Sequence, residues 1–391
     1  MPQKNSILNL PGFTIQKIVG NSPVIIELRY RRKARCIHCN HKKLRKKASF
    51  IRQVRHESVG HRPILLRFKA YKFQCYACKR YFNQRFPGIG KHQRATYNLH
   101  RQIFYQHTEG ISQQDLARRF NLGKATVERW YHRQYEREGQ EHLNRPCPQV
   151  LGIDEHFFSK KQGYATTFCN LKKHKIYDVV KGRSASDLKE YLEKLPDKEK
   201  VKVICMDLSS TYRSLVQQYF PQAKIVADRF HVIRLILQQC MQTYQDIDPK
   251  IKRHRGLLGL LRTHPDNLTL KRLDKRDAYL DQQPAIQAIY LFKRKLHRLL
   301  MKKTVPARRC KRLIPIFLKM IQHLKKSPFK SLKTLGKIFY QWRDEIARMW
   351  RFTKSNGITE GFHRKMKLIQ RRAYGFRNFE NYRLRVKVLC S

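Results

Sequence analysis

Two CxxC pairs constrain the N-terminal part of the chain more tightly than any other sequence feature. The pairs are Cys36 with Cys39 and Cys75 with Cys78, and 35 residues separate them. A CxxC turn directs two thiolates at one tetrahedral Zn²⁺, so two such turns predict a closed four-cysteine site with a structural role. Four ordinary buried cysteines or a redox-active pair are the alternatives. Because a redox motif needs only one pair, we expect one zinc ion here.

The segment that joins the two pairs is basic, and its apolar and polar residues alternate with the period of a β-strand. Apolar residues occupy every second position from Ile64 to Ala70, with Arg67 and Lys69 among the residues between them. A strand here would return the chain to the second CxxC pair. Around the first pair, residues 31–47 contain nine Lys and Arg and no acidic residue. We interpret this density as a surface that contacts phosphate.

The basic character extends over the whole chain and limits what it can bind. The 391 residues include 85 Lys and Arg against 28 Asp and Glu, so the formal net charge is +57, and 41% of the residues are hydrophobic. A chain of this length and hydrophobicity is expected to form two or more domains with cores of their own. The excess charge on their surfaces requires a polyanion, most commonly nucleic acid. Small-molecule metabolism is thereby nearly excluded as the main role.

Apolar stretches in the chain are short. The longest, residues 313–321, is interrupted by Lys319, and the N-terminus lacks the basic and apolar regions of a signal peptide. We therefore expect no membrane span and a location inside the cell. That reducing compartment also favours metal binding over disulfide bonds for clustered cysteines.

Residues 112–134 have the pattern of two helices joined by a tight turn. Ser112 followed by Asp115 predicts a helix N-terminus, and Asn121 begins a turn in which it tolerates a left-handed conformation. A second helix is predicted over residues 124–134. The pattern resembles the helix-turn-helix of DNA-binding proteins, although an ordinary helical hairpin would share it.

The second helix of a helix-turn-helix enters the major groove of DNA. Here that helix is predicted to bury Val127 and Trp130 and to expose a polar face. The candidate DNA contacts on that face are Lys124, Thr126, Glu128, Arg129 and Arg133.

The sequence pattern changes after Pro146 and Pro148, which mark a domain boundary. Three strands are predicted first, followed by alternating helices and strands. The predicted strands are residues 150–153, 164–170, 175–180, 201–206 and 224–227, and the predicted helices are residues 184–195 and 210–219. This order predicts a mixed sheet covered on both faces and matches the ribonuclease H-like fold.

Acidic residues follow two of these apolar strands. Asp154 and Asp207 each come at the predicted C-terminal end of a strand, where open α/β sheets bind ligands. If the strands are neighbours, the carboxylates can share Mg²⁺, and two ions about 3.5–4 Å apart suit a phosphodiester displacement. A third acid, Glu360, stands in the predicted first turn of a helix with a basic outer face. A turn-forming Asp or a helix-stabilising Glu is the alternative for each residue taken alone.

The interval between Asp207 and Glu360 is 153 positions, more than two strands and two helices require. Residues 231–354 have apolar residues at helical spacing, and prolines divide them into segments. The dividing prolines are Pro249, Pro265, Pro284, Pro306 and Pro328. We expect Met320, Trp342 and Trp350 to serve core packing in this region.

Four segments resemble the signature segments of the DDE (Asp-Asp-Glu) transposases of the bacterial insertion-sequence family called ISL-three. They are Gly152-Ile153-Asp154-Glu155, Met206-Asp207-Leu208-Ser209-Ser210-Thr211-Tyr212, Ala227-Asp228-Arg229-Phe230-His231, and the stretch from Ser355-Asn356-Gly357 through Glu360 to Arg371-Arg372-Ala373-Tyr374-Gly375. The cysteine pairs and the helix-turn-helix pattern also match this family. The resemblance therefore runs from about residue 30 to the end of the chain.

The resemblance implies that Asp154, Asp207 and Glu360 form a catalytic triad that binds two Mg²⁺ or Mn²⁺ ions, and that the helical region is an insertion before the final Glu. Glu155 is a poor substitute for its neighbour because adjacent strand side chains point to opposite faces. Asp228 and His231 could support the site, but a helix cap and a packed histidine explain them equally well.

The expected architecture is multidomain α+β. It comprises a zinc-binding domain at residues 1–92, a helix-turn-helix domain at 93–145, the first part of the catalytic core at 150–230, the helical insertion at 231–354 and the rest of the core at 355–391.

The expected function is a bacterial transposase that binds terminal inverted repeats and carries out DNA cleavage and strand transfer. It would act as a homo-oligomer on double-stranded DNA, in the cytoplasm and associated with the nucleoid. The candidate DNA contacts near the final Glu are Lys365, Lys367, Arg371 and Arg372. The alternatives are a non-catalytic zinc and helix-turn-helix regulator, a domesticated transposase, or a nuclease acting on RNA or junctions.

Overall fold

The computed structural model describes residues 8–140, 145–352 and 357–391. Ser355 and Asn356, which begin the last signature segment, lie outside these residues. The chain divides into two compact units. The first comprises the N-terminal 141 residues with Ile369–Phe376, and the second comprises His142–Leu368 with Arg377–Ser391.

A five-stranded sheet forms the start of the first unit. Its strands are β1 (Phe13–Val19), β2 (Val24–Tyr30), β3 (Leu44–Val59), β4 (Arg62–Cys75) and β5 (Tyr81–Asn83). The order is β1-β2-β4-β3, and β5 pairs with residues 72–74 of β4, on the same edge as β2 but nearer the end of the strand. The alternation predicted for β4 is confirmed, because Ile64, Leu66, Phe68 and Ala70 are all buried. The long β3–β4 hairpin joins the two CxxC pairs, as the sequence pattern indicated.

Three helices complete the first unit: α1 (Tyr97–Thr108), α2 (Gln113–Arg119) and α3 (Lys124–Gln140). Ser112 caps α2 by accepting a hydrogen bond from the Asp115 amide, and Asn121 is left-handed with φ 46°. Helix α3 continues six residues beyond its predicted end because Tyr131 and Tyr135 extend its buried face. Trp130 is only half-buried and lies against His100, with ring centroids 4.0 Å apart.

A second five-stranded sheet forms the centre of the second unit. Its strands are β6 (Val150–Ser159), β7 (Gly163–Asn170), β8 (Lys175–Lys181), β9 (Val203–Met206) and β10 (Lys224–Ala227). The order is β10-β9-β6-β7-β8, with β6, β7 and β8 antiparallel and β9 and β10 parallel to β6. This is the order of a ribonuclease H-like sheet, so the predicted fold class is confirmed.

The first helices of the second unit follow their predicted positions. They are α4 (Ala185–Glu193) and α5 (Ser210–Tyr219). Ser184 and Asp187 form a reciprocal capping box at the start of α4, which stabilises two amides that would otherwise lack partners. Leu188 and Leu192 of α4 and Leu215 and Val216 of α5 join the same apolar core as the sheet.

Between β10 and residue 352, the described part of the chain forms seven α-helices, which make up the helical region. They are α6 (Arg229–Ile247), α7 (Arg255–Arg262), α8 (Leu270–Asp281), α9 (Pro284–Leu300), α10 (Ala307–Lys326), α11 (Lys330–Gln341) and α12 (Arg343–Arg348). Pro284 is the first residue of α9 and Pro306 immediately precedes α10, as expected for a residue that lacks a backbone N–H. Trp342 and Trp350 are buried in the core. None of the described helices is both long and apolar enough to cross a membrane.

The chain ends in two helices, α13 (Gly357–Arg372) and α14 (Phe379–Leu389). Helix α14 packs on β8, where the buried Asp178 carboxylate accepts two hydrogen bonds from the Arg383 guanidinium, at 2.8 and 2.7 Å. Lys387 lies 3.3 Å from the same carboxylate. This ion-pair cluster fixes α14 to the β8 edge of the second sheet.

Candidate DNA-processing site

The four paired cysteines converge at one place in the first unit. Their sulfur atoms all lie within 4.8 Å of one another, and the closest contacts are 3.6 Å from Cys36 to Cys78 and 3.5 Å from Cys39 to Cys75. A tetrahedron of Zn–S bonds about 2.3 Å long has sulfur atoms about 3.8 Å apart. The four thiols therefore fit one structural zinc ion.

The backbone around the cysteines is shaped for such a site. Asn40 and Lys79 each follow the second cysteine of a pair, and both are left-handed, with φ of 59° and 58°. The same turn therefore occurs twice and directs both pairs inward. The His38 amide also lies 3.4 Å from the Cys36 sulfur, where it would stabilise a thiolate.

The exposed face of α3 contains most of the predicted DNA contacts. Lys124, Arg129 and Arg133 are exposed, while Thr126 is half-buried. Glu128 accepts a hydrogen bond from the Gln113 side chain at 3.2 Å, which directs its carboxylate toward α2. The result is a cationic helix face supported by the apolar contacts of the fully buried Val127.

An arginine of the sheet fixes the turn of the helix-turn-helix. The Arg55 guanidinium donates hydrogen bonds to the backbone oxygens of Phe120 and Asn121, at 3.1 and 2.8 Å. Because this turn sets the angle between α2 and α3, Arg55 ties the orientation of α3 to β3. Sequence reasoning missed this role, since the two partners are about 65 positions apart and nothing in the local pattern links them.

Asp154 and Asp207 are neighbours at the end of a parallel strand pair. The ladder between β6 and β9 ends at Ile153 opposite Met206, so the next residue on each strand is the aspartate. One feature differs from the prediction: β6 continues through Asp154 to Ser159 instead of ending there. The strand is longer because its far half pairs with β7, even though its pairing with β9 stops.

Asp228 extends the row of aspartates by one strand. The ladder between β9 and β10 ends at Met206 opposite Ala227, which makes Asp228 the next residue beside Asp207. The side chain of Asp228 is buried. In the sequence, Asp228 shows the same pattern as Asp154 and Asp207: it follows a predicted apolar strand.

Burial and mutual repulsion weaken the acidity of this row. Burial raises the pKa of Asp154 to about 7, and the negative charges of Asp207 and Asp228 act in the same direction. Burial also raises the pKa of Asp207. The Oδ1 atom of Asp207 is buried and has no hydrogen-bond partner among the described residues. Carboxylate oxygens fit divalent cations, which are hard acids and favour oxygen ligands.

Two histidines lie next to Asp154, one beside each of its carboxylate oxygens. The Nε2 atom of His231 lies 4.0 Å from one Asp154 oxygen and 3.8 Å from Asp228, and the Nδ1 atom of His363 lies 3.9 Å from the other Asp154 oxygen. The Nε2 atom of His363 contacts the Thr167 hydroxyl at 3.3 Å. His363 was not singled out from the sequence, where its only signal is its position one helical turn after Glu360.

Glu360 lies apart from the two aspartates. Its carboxylate is exposed and pairs with Arg364, one turn along α13, at 3.1 Å. Within the described residues, the four cysteines are the only group of three or more potential metal ligands that lie within 4.8 Å of one another. The rotation of α13 about its own axis keeps the Glu360 carboxylate on the outer side. Thr359 is buried and His363 faces Asp154, so both lie on the inward side of the helix. Glu360 is the residue after Thr359 and lies just off that inward side.

The basic residues after Glu360 differ in their surroundings. The Lys365 ammonium donates a hydrogen bond to the backbone oxygen of Leu389, so it helps to hold α14. Lys367, Arg371 and Arg372 are exposed. The structure therefore leaves these three side chains accessible, whereas Lys365 has an internal partner.

Comparisons with known proteins agree with this arrangement. A family model described as "Transposase" (DDE, ISL3) matches residues 151–386. The helix-turn-helix domain of transposase family ISL3 matches residues 84–135, and the zinc-finger of transposase IS204/IS1001/IS1096/IS1165 matches residues 32–78.

A characterised relative matches along most of the chain. It is the transposase for insertion sequence element IS1001 from Bordetella parapertussis, which is 26% identical over 351 residues, covering 86% of this chain and 84% of the relative. Along this chain the zinc-finger, helix-turn-helix and transposase models match in that order. The chain belongs to the ISL3 family of DDE transposases, which are DNA-binding enzymes that cut and transfer DNA.

Proposed function

We propose that this protein is the transposase of a bacterial insertion sequence and that Asp154, Asp207 and Glu360 are its catalytic acids. The observation that carries the proposal is the adjacent pair Asp154 and Asp207 where the parallel ladder of the core ends. The zinc module and helix-turn-helix would bind the terminal inverted repeats of the element. The same core would then cut at the element ends and join them to target DNA inside the bacterial cytoplasm, with two or more copies on one DNA complex.

Some residues of the site would bind metal, and others would bind DNA. Asp154 and Asp207 would bind divalent metal. The metal would be Mg²⁺, because carboxylate oxygens are hard ligands. Bound ions of this kind activate a water or 3′-OH nucleophile and stabilise the leaving oxygen. Glu360 would join them once DNA phosphate replaces it as the partner of Arg364. His363 holds one side of Asp154, while Lys367 offers its charge to the phosphate backbone.

Substitution of the acids tests the assignment. Asp154→Asn and Asp207→Asn keep the side-chain shape but remove the charge. Each should lower the rate of strand nicking at labelled element ends in Mg²⁺ by roughly 10³-fold or more, with end binding unchanged. Glu155→Gln is the matched control, because it removes the same charge from the neighbouring residue, whose carboxylate pairs with Arg183. A nicking rate in Asp154→Asn equal to that of the unaltered protein would show that the acids are wrongly assigned.

Metal binding can be measured without catalysis. Added Mg²⁺ or Ca²⁺ should raise the melting temperature of the unaltered core, because cations relieve the repulsion among the buried aspartates. The Asp154→Asn/Asp207→Asn double variant should lose this shift. Glu360→Gln separates the third acid: it should lower nicking strongly and reduce the metal-induced shift less than the aspartate changes. Equal metal-induced shifts in all variants would contradict a metal site at the aspartates.

A further inference from the structure

A basic cavity within the helical region has no part in the site described above. It lies between α6, α9 and the turn after α7, and its volume is about 690 Å³. Cavities of this size hold small ligands such as a nucleotide, but they cannot admit a DNA duplex. One wall is a stripe of α9 at helical spacing, and its members are Tyr290, Lys293, Arg294, His297 and Arg298.

The cavity has a large excess of positive charge. Its cations are Arg262, Lys293, Arg294, Arg298 and Lys302, and its single carboxylate is that of Asp266. Asp266 lies 3.4 Å from His264, at the rim. In the part of the chain that the structure describes, none of the five cations lies within 4.0 Å of a carboxylate. Like charges gathered without acidic partners repel one another, so the cavity is suited to an anion.

Lys293 is the deepest of these cations. Its side chain is 6% exposed, and its ammonium donates a hydrogen bond to the backbone oxygen of Leu261. An ammonium has three N–H donors, and Leu261 takes one. The Tyr290 ring also faces the ammonium, with its centre 4.6 Å away, but a ring face is a weaker partner than an anion. Because burying a charge is costly unless it is paired, a bound phosphate has a larger stabilising effect here than at the surface.

Apolar side chains complete the lining. Ile236 and Leu237 of α6 and Met301, just after α9, face the same space. A ligand that satisfies both the cations and these apolar groups carries a phosphate and a flat, largely apolar part. Nucleotides have this combination, and in duplex DNA the base is hidden by pairing and stacking.

We propose that this cavity binds one unpaired nucleotide of a DNA strand, with its phosphate among Lys293, Arg294 and Arg298 and its base against Leu237 and Met301. The DNA-binding family of this chain supplies the strand, and the proposal is independent of which acids are catalytic. The same chemistry could come from a free nucleotide, which the experiment below distinguishes.

The test measures the binding of a labelled oligo(dT) hexamer by fluorescence anisotropy, with no added divalent metal. Arg294→Gln/Arg298→Gln should weaken hexamer binding roughly tenfold or more. Arg308→Gln/Arg312→Gln is the matched control, because it removes the same charge from exposed positions of α10 that do not line the cavity. Leu237→Trp should weaken binding by a similar factor without any change in charge, since it fills the cavity.

Equal losses in the cavity pair and the control pair would overturn the proposal, because general charge attraction would then explain the binding. If dTMP displaces the hexamer at the same concentration as unlabelled hexamer does, the ligand is a free nucleotide and the DNA assignment is wrong. In the unaltered protein, a hexamer containing 5-iododeoxyuridine should crosslink on irradiation to peptides of α9. Crosslinking confined to the first unit would also overturn the proposal. This result does not depend on how well the variants fold, because it is obtained with the unaltered protein.

Discussion

Buried histidines of the first unit link its stability to pH. His56 is buried, and its Nδ1 atom lies 3.0 Å from the Thr96 hydroxyl. Burial lowers the pKa of His56 from an ordinary value of 6.5 to about 4. The folded state therefore holds this ring neutral at pH values where the unfolded chain binds a proton.

We expect the free energy of unfolding of the first unit to fall as pH drops from about 6.5 to about 4. The loss assigned to His56 approaches about 3 kcal/mol at the acid end, because one pKa unit corresponds to about 1.4 kcal/mol. Urea unfolding between pH 4 and 7 measures it. His56→Gln should remove about half of this pH dependence, because burial also lowers the pKa of His100 to about 4. His61→Gln, in the exposed hairpin turn, should leave the profile unchanged. A profile as steep in His56→Gln as in the unaltered protein would contradict the prediction.

The four cysteines make the first unit dependent on metal. Cys75→Ser removes one of four ligands, and its side chain is fully buried, so no water can easily replace it. We expect zinc content near zero after dialysis, against one zinc per chain in the unaltered protein, together with early melting of the first unit. The cooperative melting of the second unit should remain. Cys310→Ser serves as control, and full zinc content in Cys75→Ser would contradict the four-cysteine site.

At the scale of elements, close packing between α10 and α11 depends on one glycine. A Cβ atom added to Gly336 would lie 2.6 Å from the Lys325 backbone nitrogen and 2.9 Å from the Leu324 backbone carbon. Neither backbone atom can move without shifting a helix. The two helices can therefore approach this closely only where the side chain is absent.

We expect Gly336→Ala to destabilise the second unit by about 1–3 kcal/mol, because overpacking forces the helices apart. Gly259→Ala in α7 is the matched control, since a Cβ there meets nothing within 4 Å. Alanine favours helices more than glycine does, so the control should gain about 0.5–1 kcal/mol. Thermal and urea unfolding of both variants measure the effects. A stabilised Gly336→Ala would show that α10 and α11 pack less closely than described.

Local sequence patterns predicted the position of each of these elements but not always its length. The alternation of β4 and the Ser112 cap follow from neighbouring residues, and both were predicted. The extra length of β6 and α3 was not, because each extension depends on a partner elsewhere in the chain. Ser159 is reached through pairing with β7, and the end of α3 is buried through Tyr135.

At the scale of the whole molecule, the net charge of +57 predicts strongly salt-dependent DNA binding. Log affinity should fall by about 0.9 per neutralised phosphate for each tenfold increase in salt. The Lys124→Gln/Arg129→Gln/Arg133→Gln triple variant should reduce this slope by roughly 2–3 on duplex DNA that carries the element end. Anisotropy between 50 and 300 mM NaCl measures it, and an unchanged slope would exclude α3 from phosphate contact.

The sequence by itself determined the modules of this protein: four paired cysteines, two helices with a capped turn, and apolar strand segments that each precede an aspartate. These features are local, because residue periodicity and turn chemistry fix an element and its buried face. Only the tertiary structure decided which strands adjoin, and hence that Asp228 lies beside Asp207, that His231 and His363 adjoin Asp154, and that Glu360 pairs with Arg364. That outcome depends on burial shared between segments up to about 200 positions apart, and on the rotation of α13, which a periodic pattern fixes only to within a residue.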